Sequence, residues 1–178
     1  QISPMKKFLL VLFLFPGFAI SAQETINQFS LNFLAPSAEY EVSISSRSTI
    51  DLNLGIGFTY QYSSSLGEAY GIYPGFEGQY RYYYNFEKRA DKGKKVSENS
   101  ANYIAGVASI TSSNPIIGDL EYENEFGAFI GPAWGMQRIY NSGFKLNLNL
   151  GLGMGFNDVG DTFFRPLFGF QLGWKIGK

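Results

Sequence analysis

The chain has 178 residues, with 14 lysines and arginines, 15 aspartates and glutamates, and neither cysteine nor histidine. Without cysteine there are no disulfides or thiolate metal sites, and without histidine there are no Ser-His or Cys-His nucleophile pairs. The charge balance lacks the basic excess of a nucleic-acid-binding protein. Twenty-one glycines, 12 tyrosines and 17 phenylalanines favour strands and tight turns over helices.

The first predicted element is an export signal. Two lysines follow Met5, an apolar run spans residues 8–20, and small residues follow at 21–22. The run is too short for a transmembrane helix, which needs about 20 residues. The sequence therefore predicts that residues 1–22 are a signal peptide with an N-terminal extension before Met5, and that residues 23–178 form a single domain.

The rest of the chain is predicted to be all-β, because apolar side chains recur at every second position along it. Successive side chains of a strand point to opposite faces. The clearest run is FKLNLNLGLGMGF at 144–156, where bulky apolar residues occupy one face, and Lys145, asparagines and glycines occupy the other. Eight strands are predicted, at residues 28–34, 38–45, 50–62, 76–86, 101–111, 125–140, 144–156 and 166–176.

Two of these strands carry irregularities. Both phases of strand 101–111 are apolar or small, so the pattern does not say which of its faces points inward. Pro132 lacks a backbone donor and predicts a bulge or local break in its strand.

The connections between strands are predicted to alternate between two ends of the sheet. One end holds three longer loops, at residues 63–75, 112–125 and 157–163, and a short one at residues 34–37. The other end holds two short turns, at residues 45–49 and 141–143, and a longer charged connection at residues 87–100. Eight antiparallel strands close into an up-and-down barrel, which removes exposed edges.

The composition of the polar face indicates what surrounds this barrel. A water-facing exterior is rich in lysine, glutamate, aspartate and arginine, whereas here the polar face is mostly glycine, asparagine, serine, glutamine and threonine. Small polar residues suit the narrow interior of an eight-stranded barrel, and aromatic residues at strand ends suit a lipid-facing band. The sequence thus favours an antiparallel eight-stranded up-and-down transmembrane β-barrel. A soluble lipocalin-like barrel, with its oily face inward around a ligand, is the alternative.

Several stretches carry a family resemblance: AEYEVSIS, GFEGQYRYYYNFEKR, GPAWGMQRIYNSGFKLNLNLGLGMGF and FGFQLGWKIGK. They resemble the small outer-membrane β-barrel proteins of Gram-negative bacteria, of which the OmpA membrane domain and OmpX are examples. The resemblance implies a monomer in the cell outer membrane, in contact with outer-membrane lipid and lipopolysaccharide and inserted by the barrel assembly machinery. Many such proteins end on an aromatic residue, whereas Trp174 here precedes four further residues. Either the barrel assembly machinery recognises the internal alternating residues Phe170, Leu172 and Trp174, or its recognition of this chain is weaker than usual.

Three groups of charged residues are candidate functional sites. The first is a lumen charge network that forms either a narrow ion path or a plug of paired charges. It comprises Glu39, Glu41, Asp51, Glu77, Arg81, Lys145, Arg165 and Lys175.

The second group is an acidic loop that either gathers divalent cations or is simply solvated. It comprises Asp119, Glu121, Glu123 and Glu125. The third is a basic connection that either holds anionic lipid headgroups or cell-wall polymer, or is a solvated linker. It comprises Lys88, Arg89, Lys92, Lys94 and Lys95.

The predicted function is that of an integral outer-membrane protein with a structural or surface-interaction role. We expect no enzyme activity, cofactor or metal, because only carboxylate, serine or tyrosine chemistry remains without histidine and no serine is paired with a candidate base in a recognisable spacing. The alternatives are a narrow pore for small solutes and a soluble periplasmic lipid-binding barrel. Conductance and solubility without detergent distinguish these alternatives.

Overall fold

The computed structural model describes residues 24–63 and 67–177, so the predicted signal peptide lies outside the described residues. The described chain is built almost entirely of strands, with one five-residue helix, α1 (Phe86–Ala90). The strands are β1 (Gln28–Asn32), β2 (Ser37–Ser43), β3 (Ser48–Ser63), β4 (Gly67–Tyr83), β5 (Asn102–Ser112), β6 (Ile117–Gly118), β7 (Phe126–Ile139), β8 (Phe144–Asn157) and β9 (Thr162–Ile176). Within the described ranges, no helix is both long and apolar enough to cross a membrane.

Eight of the strands form one antiparallel up-and-down sheet that closes in a ring. The order around the ring is β1, β2, β3, β4, β5, β7, β8 and β9, and β9 returns to β1 through pairs such as Phe29 with Ile176. The two-residue β6 adds to the free edge of β4 beyond β5. The prediction of an all-β, antiparallel, up-and-down fold is confirmed. We call the end of the ring where β1 starts and β9 finishes the terminal end, and the opposite end the loop end.

The structure places the bulky phase of most strands on the outside of the ring. Along β8, Lys145 and Asn147 are buried inside while Leu152 and Met154 are exposed. The strand of undetermined facing, β5, turns Tyr103 inward and Ile104 outward. The Tyr103 hydroxyl forms hydrogen bonds with polar side chains inside the ring, whereas the side chain of Ile104 is wholly apolar. This facing therefore places the polar group of the strand in the polar interior.

The strands differ greatly in length, and one predicted loop is wrong. β3 and β4 pair without interruption from Ser48–Tyr82 to Ser63–Gly67, so residues 67–75 are strand rather than loop. This stretch, GEAYGIYPG, has too many glycines to show period-two alternation. Backbone pairing with the regularly alternating β3 holds it in place, and sequence pattern does not report such pairing.

The short β1 and β2 leave a notch in the wall of the ring at the loop end. β2 pairs with β3 only as far as Gly55, and β1 pairs with β9 only from Gly173. Within the described part of the chain, residues 57–63 of β3 and 162–171 of β9 therefore have no strand partner on these edges. Two missing strand positions correspond to a gap of about 14 Å between the two edges.

The predicted irregularity at Pro132 is confirmed as a local break. Ile130 pairs with Met154 and Ala133 pairs with Gly151, but the two intervening residues of β7 do not pair with β8. The register is the same on both sides of the break, so no residue is inserted. Pro132 removes one donor from the ladder without shifting the faces of β7.

The terminal end is closed by residues 84–101, which we call the cap connection. Its Phe86 is buried and stacks on Tyr83, with ring centroids 5.2 Å apart. Asn99 exchanges two 2.9 Å hydrogen bonds with the backbone of Ile26. The sequence missed α1 because five residues are too few to show a helical period. The charged connection predicted at residues 87–100 thus folds back under the ring and covers its terminal end.

Candidate functional site

The interior near the terminal end holds five fully buried charges, which we call the ionic cluster: Glu39, Glu41, Asp51, Arg81 and Lys145. Arg81 lies at its centre. Its Nη2 donates to Oδ1 of Asp51 at 2.9 Å, and its Nη1 lies 3.6 Å from Glu39 Oε1 and 3.9 Å from Glu41 Oε1. One guanidinium thus faces three carboxylates, which is the kind of compensation that buried charges require.

Lys145 completes the cluster from the other side of the ring by pairing with Glu39. Glu41 is satisfied chiefly by neutral donors. Thr49 donates to it at 2.7 Å, Tyr83 at 2.6 Å and Gln137 at 3.0 Å. Three carboxyl groups face two cations, and these neutral donors supply hydrogen bonds that the two cations do not.

The sheet register explains why these residues meet. Glu41 lies directly opposite Asp51 across β2 and β3, and Thr49 lies opposite Arg81 across β3 and β4. All of them occupy the inward phase of neighbouring strands. Lys145 is on β8, on the far side of the ring, and reaches Glu39 across an interior only wide enough to be filled by side chains.

The predicted lumen network divides into a cluster and three separate residues. Lys175 donates to Glu98 of the cap connection at 2.7 Å. Arg165 lies at the loop end, with its guanidinium 5.2 Å from the ring centroid of Phe129. Glu77 is partly buried above the cluster and accepts a 2.7 Å hydrogen bond from Gln79. All eight residues were predicted from the inward phase of their strands. Which of them form ion pairs depends on how far along the axis of the ring each one lies.

Neutral inward residues that the sequence analysis did not single out bind the cluster as closely as its charges do. Gln79 accepts from Arg81 Nε at 2.8 Å, and Gln137 accepts from its Nη1 at 3.3 Å. The ring of Tyr103 lies 4.8 Å from the Arg81 guanidinium carbon, and its hydroxyl donates to Asn147 at 2.8 Å. For Gln79 and Gln137 the signal was present in the sequence, because each shares the predicted inward phase of its strand, whereas the facing of the Tyr103 strand was left open.

Together these groups block the terminal half of the ring. On the side of β4, β5 and β7, the cluster abuts buried residues that include Tyr83, Val107 and Phe129, together with Phe86 of α1. With packed side chains on one side and paired charges on the other, this arrangement is suited to stabilising the wall of the ring.

The loop half of the interior is different. A cavity of about 270 Å³ lies above the cluster, at the foot of the notch, with Glu77 and Arg165 in its lining. It is also lined by small residues such as Ser37 and Gly55. One acid and one base face a space with room for several waters.

The acidic loop is spread over the loop end. Asp119 accepts a 3.2 Å hydrogen bond from the Tyr70 backbone, which anchors the loop to β4. Glu121 and Glu123 are exposed, and Glu125 contacts Asp158 through its backbone nitrogen at 2.9 Å. Over residues 24–63 and 67–177, the structure contains no group of three or more side chains arranged to hold a metal ion.

The basic connection is more ordered than a solvated linker. Lys95 donates to Glu98 at 2.5 Å, and Arg89 donates to the Lys95 carbonyl at 3.0 Å. Partial burial raises the pKa of Glu98, but hydrogen bonds from Lys175 and Lys95 outweigh it and hold that pKa below its usual value. Lys88, Lys92 and Lys94 remain exposed.

A scan against protein-family models, a search of curated proteins and a search of solved structures found no match to this chain.

Proposed function

We propose that the protein is an integral outer-membrane β-barrel with a structural or surface-interaction role and no catalysis. The observation that carries this proposal is the distribution of polarity across the wall of the ring. Charged residues such as Arg81 and Lys145 are fully buried inside, whereas bulky residues such as Phe168 and Leu54 are 70% and 63% exposed outside. A chain in water has the reverse arrangement, and a closed sheet in hydrocarbon has this one.

The same observation argues against a soluble lipid carrier. A lipocalin-like barrel needs an apolar interior around its ligand, but the terminal half here is occupied by ionic and hydrogen-bonded side chains. Its exterior would also present an almost continuous apolar surface to water, far above the few hundred Å² that soluble monomers tolerate.

Outer-membrane lipid and lipopolysaccharide are the proposed surroundings of the outer wall. A shallow apolar groove of about 890 Å³ runs along that wall between Tyr80, Trp134 and Leu152, with Gly106 and Pro132 at its floor. An acyl chain fits such a groove. We further propose that residues 1–22 act as a cleaved export signal and that barrel assembly machinery reads the outward Phe170, Leu172 and Trp174 phase.

The test is electrophoretic mobility with and without boiling, run beside cell fractionation. We expect the unboiled protein to migrate differently from the boiled protein and to be found in the outer-membrane fraction. A closed barrel resists detergent until it is heated, which produces the difference. A soluble periplasmic protein whose mobility is the same with and without boiling would overturn the proposal and favour the lipid-carrier alternative.

A narrow pore is the second candidate, and planar-bilayer recording tests it. We expect no unitary conductance from the purified protein, because the ionic cluster and its neighbours fill the terminal half of the ring. The lining of the cavity beside Arg165 includes Asn53 and Glu77, which lie one inward position beyond residues of this filled half. Steady unitary currents that persist after repurification would favour the pore instead.

We place the surface-interaction role at the loop end. The backbone groups of residues 57–63 and 162–171 on either side of the notch have no strand partner within the described chain. Unpaired strand edges are templates for added strands. A partner that supplies extended chain there would gain main-chain hydrogen bonds that the β1–β2 hairpin is too short to make.

A further inference from the structure

A second cavity, of about 280 Å³, lies at the terminal end beneath the cap connection. It lies between the cap connection and the turn that joins β7 to β8. Three cationic side chains reach it, Arg89 and Lys95 from the cap connection and Arg138 from the end of β7, together with Ser100 and Tyr140. The ionic cluster does not contribute to this cavity.

The positive charge of this cavity is not compensated within the described chain. Arg138 donates to the Gln137 carbonyl and to Asn102 Oδ1, both at 2.6 Å, and Arg89 donates to the Lys95 carbonyl. All of these acceptors are neutral. In the described ranges, neither guanidinium has a carboxylate within 4.0 Å, in contrast to Arg81, which has three. Both arginines line the same cavity.

The third cation does not relieve this excess. Lys95 pairs with Glu98, but the same carboxylate is shared with Lys175. Lys95, Lys175 and Glu98 together therefore carry a net positive charge. The cavity wall therefore presents like charges that stay together only because the fold holds them.

One donor at this site has no acceptor. Arg89 Nε is buried and, among the described residues, has no hydrogen-bond partner. Buried donors are nearly always satisfied, and a missing partner calls for an ion or ligand. A guanidinium presents its donors in a fork that matches the oxygens of an anion such as phosphate.

We propose that this cavity is a phosphate-binding site, in which Arg89, Arg138 and Lys95 hold a phosphate group. A phosphate group carries one negative charge in a lipid diester and up to two as inorganic phosphate, and its non-bridging oxygens accept hydrogen bonds from guanidinium and ammonium groups. Ser100 adds a hydroxyl in the same wall. The orphan Nε of Arg89 gains its acceptor when the group binds.

The position of the cavity indicates a lipid headgroup as the source of the phosphate, which rests on the proposed membrane location. Tyr140 lines the cavity and is 52% exposed at the end of β7. Nearby on the outer wall, Trp134 Nε1 donates to the Tyr84 hydroxyl at 2.8 Å. Aromatic residues of this kind collect at the level of lipid headgroups, where lipid phosphates also lie.

The experiment uses the full chain in non-ionic detergent micelles, labelled with ¹⁵N and titrated first with inorganic phosphate and then with dioctanoyl phosphatidylglycerol. We expect a saturable shift of the Arg89 Nε–H resonance, because that proton acquires an acceptor. Ligand ³¹P spectra give the affinity for each variant. Arg89→Gln and Arg138→Gln should each weaken binding by about tenfold or more, since each removes charge-assisted hydrogen bonds.

Lys92→Gln is the matched control, because it removes one positive charge from the same connection at an exposed position outside the cavity. Its affinity should stay within roughly twofold of the parent, as expected for a screened surface charge. Equal weakening by Lys92→Gln, or the absence of any saturable shift, would overturn the proposal.

The two ligands separate the possible sources. Saturable shifts with both support a lipid headgroup. A shift with inorganic phosphate alone would overturn the lipid source and assign the site to free phosphate. Failure of the membrane location would instead appear in the boiling and fractionation assay, which uses neither ligand.

Discussion

The terminal half and the loop half of the ring share the same strands but have different interiors. In the terminal half, five charges and their amide and hydroxyl partners are packed against aromatic rings, and the cap connection closes the end. In the loop half, Glu77 and Arg165 border a cavity, and the wall itself is interrupted by the notch. The difference indicates that the terminal end contributes more to stability than the loop end does.

Among the variants considered, removal of Arg81 should lower stability the most and so test the difference between the two halves most directly. Arg81→Ala leaves three buried carboxylates without their shared cation and should lower the free energy of unfolding by about 3–5 kcal/mol. Unfolding of the lipid-reconstituted protein by guanidinium, followed by unboiled mobility, measures it. The matched control is Arg165→Ala at the loop end, which should change that free energy by less than about 1 kcal/mol.

If Arg81→Ala does not fold, the double variant Arg81→Met with Asp51→Asn provides the second test. It removes one cation and one acid together, so the formal charge of the cluster does not change. We expect it to recover part of the folded yield. Similar stability for Arg81→Ala and Arg165→Ala would show that the two halves do not differ in the way described.

A smaller effect is expected from filling interior space. Gly135 of β7 lies beneath the ring of its cross-strand partner Tyr103, where an added Cβ collides with the ring. Gly135→Ala should cost about 1–3 kcal/mol through displacement of Tyr103. The control is Gly106→Ala on the outer wall of neighbouring β5, where an added Cβ has nothing within 4 Å. Equal unfolding midpoints for both variants would contradict the packed interior.

A third effect depends on pH at the cap connection. Lys175 and Lys95 hold the pKa of Glu98 below the ordinary value of 4.5. A depressed native pKa means that the pair stabilises the fold above the unfolded pKa, and that this stability is lost as pH falls through the native pKa. Wild type should therefore be slightly more stable than Glu98→Gln at pH 6, and the difference should shrink as pH falls below the ordinary pKa of 4.5 and be lost once pH is below the native pKa.

Unfolding midpoints of the two proteins between pH 3 and pH 7, at about 0.1 M salt, measure this difference. Lys175→Gln is the companion variant and should reduce the pH dependence of the difference. A gap between wild type and Glu98→Gln that does not change with pH would show that the carboxylate acts through packing alone.

The smallest effect is local to the loop end. Asp158 accepts hydrogen bonds from the backbone of Glu125 at 2.9 Å and Phe126 at 3.2 Å, and these outweigh slight desolvation to lower its pKa. Asp158→Asn should speed hydrogen exchange at these two amides without changing the global unfolding midpoint. Glu123→Gln, an exposed neighbour, should leave the same amides unchanged. A shifted global midpoint would show that the loop end contributes to stability after all.

Much of the fold was predictable because strand alternation is a local property. The faces of β2, β3, β8 and β9 follow from runs such as FKLNLNLGLGMGF, and the break at Pro132 follows from its missing donor. Residues 67–75 were not predictable, because their glycines erase the alternation. The candidate site was predictable as a set of inward charges, while Gln79 and Gln137 were overlooked because neutral side chains carry no charge signal.

What no local pattern contains is the height of each residue in the ring and the partner that it meets there. Lys145 and Glu39 are 106 positions apart, and they meet because strand register and ring closure bring opposite walls together. Lys175, in the same inward phase, lies lower and pairs with Glu98 instead. Alternation assigns each side chain to a face of its strand, since that depends on backbone geometry alone. Lengths, register and the fold of the cap connection depend on long-range pairing, and these set which charges are paired and which cavity is left basic.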